Sequence, residues 1–216
     1  MRLPLHNLEN IVCFNYLGAS PALMGACAER QIGLCFLSPS GRFLARIDGS
    51  VKGNVLLRKR QYSLSEDKEE SIKIARSMLM GKISNCRKVI ERAVRDHGIV
   101  LDVEQLKKVS GMLKEQMLAV SNGKSIEDLS GFEGSAAKAY FGVMDDLILQ
   151  QKDEFYFRER SRRPPLDNFN ALLSFLYTLL TYEVSSALET VGLDPYVGFL
   201  HQDRPGRPSM ALDLME

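Results

Sequence analysis

Three stretches of the sequence hold side chains able to do chemistry together. Asp213 and Glu216 are three residues apart at the end of the chain, a spacing that on a helix puts both carboxylates on one face, within reach of a single cation. His201 follows an apolar run over 196–200 and precedes a Pro-Gly-Arg-Pro loop. Glu133 is followed by Gly134, Ser135, Ala136 and Ala137, and these small residues let a backbone or a ligand come close. One imidazole with two or three carboxylates is a donor set for Mn²⁺ or Mg²⁺, with positions left for water and phosphate oxygens. Zinc suits it less well in the absence of cysteine ligands. A cation so held fits phosphodiester chemistry, because it polarises a phosphoryl oxygen and helps ionise an attacking water or sugar hydroxyl.

Plainer readings stand beside these. Glu133 fits the first turn of a helix, where the dipole favours a carboxylate; His201 fits a satisfied core histidine; the Asp213 and Glu216 pair fits a solvated turn. His6 and His97 have no carboxylates at useful spacing. Arg158, Arg160, Arg162 and Arg163 make a dense cationic loop, joined by Arg204 and Arg207 near the histidine. Arginines beside a metal would hold a nucleic-acid backbone, although a solvated loop accounts for them equally. Asn170 suits either a phosphate contact or a helix cap. With a formal net charge of +1, attraction to nucleic acid has to come from such local patches rather than from a global field.

The elements that carry these groups change character along the chain. Residues 3–15 and 34–47 are rich in apolar and β-branched residues and predict strands, the second stretch turning at Ser38-Pro39-Ser40-Gly41. Between them Ser20 as cap and Pro21 at the first position predict one helix, with Gly33 as its left-handed end. From Ser63, paired with Glu66 as a capping box, apolar residues from Ile72 to Ala93 recur every three or four positions and predict one long helix up to Gly98. A second helix is predicted from an Asp102 cap, a third from about Glu133 to Gln150, and a fourth from an Asp167 cap to Gly192, apolar enough for near-complete burial. The Pro164-Pro165 pair makes 158–165 a loop. The fold class is α+β, with a β-rich unit over 1–62 followed by a helical unit over 63–216.

The apolar (45%) and charged (25%) fractions are those of a soluble globular protein, and no apolar run approaches the ~20 residues of a membrane span. Cys13, Cys27, Cys35 and Cys86 have neither CxxC spacing nor a dense framework; buried thiols in a reducing cytoplasm are expected, with no membrane partner.

Taken together, GFEGSAAKAYF (131–141), RSRRPPLDNFNALLSFLYTLL (160–180) and GLDPYVGFLHQDRPGRPSMALDLME (192–216) resemble the universal CRISPR-associated integrase, the nuclease of spacer acquisition. LPLHNLENIVCF and GACAERQIGLCFLSPSGRFLARI add a likeness to its N-terminal unit, most like the type I-C version. The resemblance implies that Glu133, His201 and Glu216 ligate Mg²⁺ or Mn²⁺, with Asp213 a further acidic residue of the catalytic site. The family commonly has Asp at the last position, so Glu216 is a departure. Arg162, Arg163 and Asn170 would line the DNA side. The implied activity is cutting spacer DNA and joining it into the CRISPR array, by a homodimer that pairs through the β-rich unit and works with a small ferredoxin-like CRISPR-associated partner. Against the family the sequence is expected to be incomplete at both ends, which leaves open a non-catalytic DNA-binding and assembly fragment.

Overall fold

The computed structural model describes residues 3–47, 49 and 54–215. After a short 3₁₀ turn at Leu5–Asn7, strand β1 (Asn10–Cys13) leads through helix α1 (Pro21–Arg30) to β2 (Gly33–Leu37) and β3 (Phe43–Ile47). The sheet order is β1-β2-β3, with β1 parallel and β3 antiparallel to the central strand. A parallel neighbour needs a crossover, and α1 supplies it. Its Ser20 hydroxyl accepts from Leu23 N with Pro21 in the first turn, as predicted. The left-handed residue that ends it is Gln31, at φ 58°, not Gly33, which already belongs to β2.

Helices occupy most of the rest: α2 (Val55–Glu66), α3 (Lys68–His97), α4 (Val103–Asn122), α5 (Ile126–Phe141), α6 (Asn168–Val191) and α7 (Ser209–Met215). The expected start of the long helix at Ser63 is displaced. Asp67 caps α3 by accepting from Glu69 N and Glu70 N, and α2 is a separate helix before it. Ser63 and Glu66 are therefore interior to α2 or at its end, where a capping box has no free N–H groups to satisfy. The apolar periodicity of α3 holds: Ala75, Leu79, Ile83 and Ile90 are buried, against Leu106, Val109, Leu113 and Val120 of α4 and Leu129 and Ala136 of α5.

Helix α5 starts earlier than expected, at a reciprocal capping box between Ser125 and Asp128, so Glu133 is in mid-helix and no longer in a first turn. Its far end carries Tyr140, packed against the core and edge-on to Phe141. Burial pushes the Tyr140 phenol from an ordinary 10.0 up to about 12. Folding thus favours the protonated phenol, so its contribution is complete below pH 10 and is lost as pH rises through about 12. Tyr140→Phe is expected to flatten the loss of thermal stability across that alkaline window, read by circular dichroism; a slope equal to the parent's would show that the hydroxyl is not desolvated.

The largest departure is α6. Of its 24 residues only Asn170, Ser185 and Leu188 are buried, and Leu172, Leu176 and Leu180 are each more than two-fifths exposed. By length and composition it is apolar enough to cross a membrane, which no single apolar run had suggested. One flank does face the sheet: Phe43 stacks on Tyr182 with ring centroids 4.3 Å apart, Asn10 Nδ2 donates to Glu183, and Arg46 pairs with Glu189. The leucine flank borders an open groove that reaches Met215. Among the cysteines only Cys27 is buried; Cys13, Cys35 and Cys86 are half-buried, and all four are free thiols.

Candidate functional site

The segment between α6 and α7 is fixed at two points before it reaches His201. Buried Gln61 of α2 is the first: its Nε2 donates to the carbonyls of Asp194 (2.8 Å) and Val197 (2.9 Å), and its Oε1 accepts from Asp194 N. The neighbouring Tyr62 hydroxyl donates to the Asp194 carboxylate at 2.7 Å; that bond to an anion raises the phenol's pKa, with burial adding to it.

Asp213 is the second fixed point. It projects from α7 with a fully buried side chain, and Oδ2 accepts from Phe199 N (2.7 Å) and Leu200 N (3.0 Å) while Oδ1 accepts from His201 N (3.0 Å) and meets His201 Nδ1 (2.7 Å). Three successive backbone amides converge on one carboxylate, an anion nest closed by its own chain. The approach is tight at Gly198, where an added Cβ would stand 2.8 Å from Ser209 Cβ and 2.9 Å from Asp213 Oδ2. Only glycine fits there.

This arrangement corrects one expectation. Asp213 does not present its carboxylate to a cation alongside Glu216, because both oxygens are spent on the 199–201 backbone and the imidazole ring. Its part is to orient His201. A carboxylate on Nδ1 favours the proton there and leaves Nε2, on the opposite edge of the ring, as the lone-pair nitrogen, the usual support for a metal-binding histidine. Phe199 and Leu200 are buried and His201 is partly exposed, so the ring stands at the rim of the core as the sequence suggested.

Glu133 reaches the same region through a third residue. Lys82, midway along α3, pairs with Glu133 Oε1 of α5 at 2.5 Å, each side chain about one-fifth exposed. Lys82 also lines a small cavity with His201, walled by Leu79, Leu200 and Leu212. The structure thus brings Glu133, Lys82, His201 and Asp213 into one linked set, with Lys82 as the connection. Glu216 lies outside the described residues. Among the described residues no three His, Cys, Asp or Glu side chains gather closely enough to hold a metal ion. The two remaining donors still fit a hard divalent ion: an imidazole with an oriented free nitrogen, and a carboxylate about four-fifths covered, whose burial calls for a positive partner.

Lys82 escaped the sequence reading, although a signal was present. It is three residues after Leu79 and beside Ile83, on the edge of the apolar face, where a lysine needs an acidic partner. Gln61 gave no such signal, since its partners are backbone carbonyls more than a hundred residues away.

The arginine loop is built differently from what was expected. Asn170 is fully buried and touches protein with its whole amide: Oδ1 accepts from Arg160 Nη1 (2.8 Å) and Ser161 N (3.0 Å), and Nδ2 donates to Glu159 O (2.8 Å) and Asp167 Oδ2 (2.7 Å). No face of it is left for DNA, so it ties the loop to the start of α6. Arg160 is held inward as well, over the Tyr177 ring at 5.6 Å, and burial, with Arg162 nearby, lowers its pKa. Arg162 and Arg163 remain exposed. Arg204 and Arg207 flank a tight turn at Gly206 (φ 75°) just past the histidine, Arg204 exposed and Arg207 half-buried.

Residues 1–216 match the family model described as CRISPR associated protein Cas1. The chain is 48% identical over 215 residues to CRISPR-associated endonuclease Cas1 1 of Chlorobaculum tepidum and 52% identical over 219 residues to CRISPR-associated endonuclease Cas1 2 of Rhodospirillum rubrum. Each match takes in 100% of this chain and 63% of the relative, so the chain spans less than two thirds of their length. Among solved structures it is similar to a CAS1 protein from Thermotoga maritima (TM-score 0.76, 23% identity, 99% of this chain and 64% of that one). A casposase bound to integration product gives TM-score 0.76 at 23% identity, over 96% of this chain and 56% of that one. At that identity both show the fold alone. A Cas6-RT-Cas1–Cas2 complex matches with TM-score 0.70 and 25% identity, over 96% of this chain and 22% of that one.

Proposed function

Since the chain belongs to the Cas1 family of CRISPR-associated proteins, we propose that it is the catalytic portion of a divalent-metal-dependent DNA endonuclease and integrase of CRISPR adaptation. The observation that carries this reading is the imidazole of His201, pinned by Asp213 and sharing a cavity with the lysine that holds Glu133. Glu133, His201 and Glu216 would hold Mg²⁺ or Mn²⁺. When bound, such an ion supplies Lewis-acid polarisation of the scissile phosphate and lowers the pKa of the attacking hydroxyl.

The chain's own residues do the rest. Asp213 keeps the His201 ring in one tautomer and one orientation. Gln61 and the amide nest hold the 194–201 segment so that the ring does not drift, a matter of consequence where small misplacements are costly. Arg162, Arg163, Arg204 and Arg207 pair with DNA phosphates, and Asn170 and Arg160 set the loop from which the first two project. The partners proposed are spacer DNA and the CRISPR repeat, a second copy of the chain, and a small ferredoxin-like CRISPR-associated protein, all in the cytoplasm; the Cas1–Cas2 complex among the structural relatives supports the last partner.

A second reading, a non-catalytic DNA-binding and assembly module, is favoured by the exposed arginines Arg162, Arg163 and Arg204, which could hold a nucleic-acid backbone without any cutting. Chelation separates the two. Branched duplex DNA incubated with the protein is expected to be cut in Mn²⁺ and left intact in EDTA. Binding that persists in EDTA and weakens steeply with salt, with no cutting under either condition, establishes the assembly module instead.

A further inference from the structure

We propose that Lys82 is the resident counter-cation of this site: its ammonium occupies Glu133 until a divalent ion takes the carboxylate over, and it thereby sets how tightly the ion binds. The inference rests on the metal-site reading above. Lys82 and Glu133 project from different helices, α3 and α5, and meet at 2.5 Å with about four-fifths of each side chain covered. A carboxylate so enclosed needs a positive partner at all times. Lys82 supplies one before any metal arrives, and it does so from the wall of the cavity that also holds His201.

An ammonium and a divalent ion compete for the same carboxylate: with Lys82 on Glu133 Oε1, the ion is left Oε2 or has to displace the ammonium. Whether Lys82 withdraws or stays on Oε1, it leaves a like charge a few ångströms from the ion, in a region partly shielded from water where such repulsion is weakly screened. A neutral residue at this position removes both the competition and the repulsion. Tighter metal binding follows, together with a less stable metal-free protein, because Glu133 then lacks its partner.

The test is Mn²⁺ binding, read from the free-ion signal in electron paramagnetic resonance, for the parent, Lys82→Gln, Lys82→Met and His201→Ala. Glutamine can still donate a hydrogen bond to Glu133, so it keeps the test alive if the methionine variant does not fold. The parent is expected to bind Mn²⁺, His201→Ala to lose it, and the neutral Lys82 variants to bind about 10-fold more tightly. Mn²⁺ should also raise the melting temperature of Lys82→Gln by more than that of the parent. If the parent shows His201-dependent binding and Lys82→Gln binds no more tightly, the Lys82 inference fails and the metal site stands. If no His201-dependent binding occurs in the parent, both fail.

Discussion

Asp213→Asn is expected to destabilise the protein by about 3–5 kcal/mol, a large part of the total for a domain of this size. The carboxylate accepts from three backbone amides and engages the imidazole, two contacts to each oxygen. An amide has only one acceptor oxygen. Turned one way its NH₂ faces Phe199 N and Leu200 N; turned the other it faces His201 N and the ring, whose Nδ1 can accept only by changing tautomer, so at least one backbone N–H is left unpaired and the charge that held all three is gone. Urea denaturation should show a lower midpoint at an unchanged slope, the signature of lost stability rather than of a changed unfolded state. A loss below about 1 kcal/mol would mean that the nest is not the keystone of the 199–201 segment.

His201→Ala should do the opposite, sparing the fold and removing the chemistry. Asp213 would keep all three amide bonds and forgo only the ring contact, worth about 1 kcal/mol. The ring is at the rim of the core rather than inside it, so no large cavity opens. The proposed metal-dependent DNA cutting, by contrast, would lose its sole nitrogen donor among the proposed ligands and is expected to fall by at least about 100-fold. The informative comparison sets a denaturation curve close to the parent's beside an empty cleavage gel. Cleavage within a few-fold of the parent would remove His201 from the site.

How much of this was legible in the sequence depends on the range of the forces involved. The caps at Ser20, Asp102 and Asp167, the β2–β3 hairpin and the apolar stripe of α3 are decided by residues within a few positions of each other, and all formed as read. The start of α5 was misplaced because the small residues around Glu133 looked like a beginning, whereas Ser125 and Asp128 supply the real one. The site was readable as residue types and not as roles. Spacing alone set Asp213 beside Glu216 as a second ligand; only the amides of Phe199, Leu200 and His201, a dozen or so positions back, show that it faces inward. Asn170 followed the same course: its place at a helix start suited a phosphate contact or a cap, the family resemblance put it on the DNA side, and the fold seals it between the Arg160 and Asp167 side chains and the backbone of 159 and 161. Burial is a property of the whole fold, and composition could not distinguish a helix that is enclosed from one that is merely greasy, as α6 shows.

That uncovered row of leucines on α6 bears on how the isolated chain has to be studied. Dyes that brighten on greasy surfaces will already glow on the native protein, so a melting curve recorded with them starts high and hides the transition. The chain has no tryptophan to serve as an internal reporter. Loss of helical ellipticity, to which the long α3 and α6 contribute most, is the signal that will follow its unfolding faithfully.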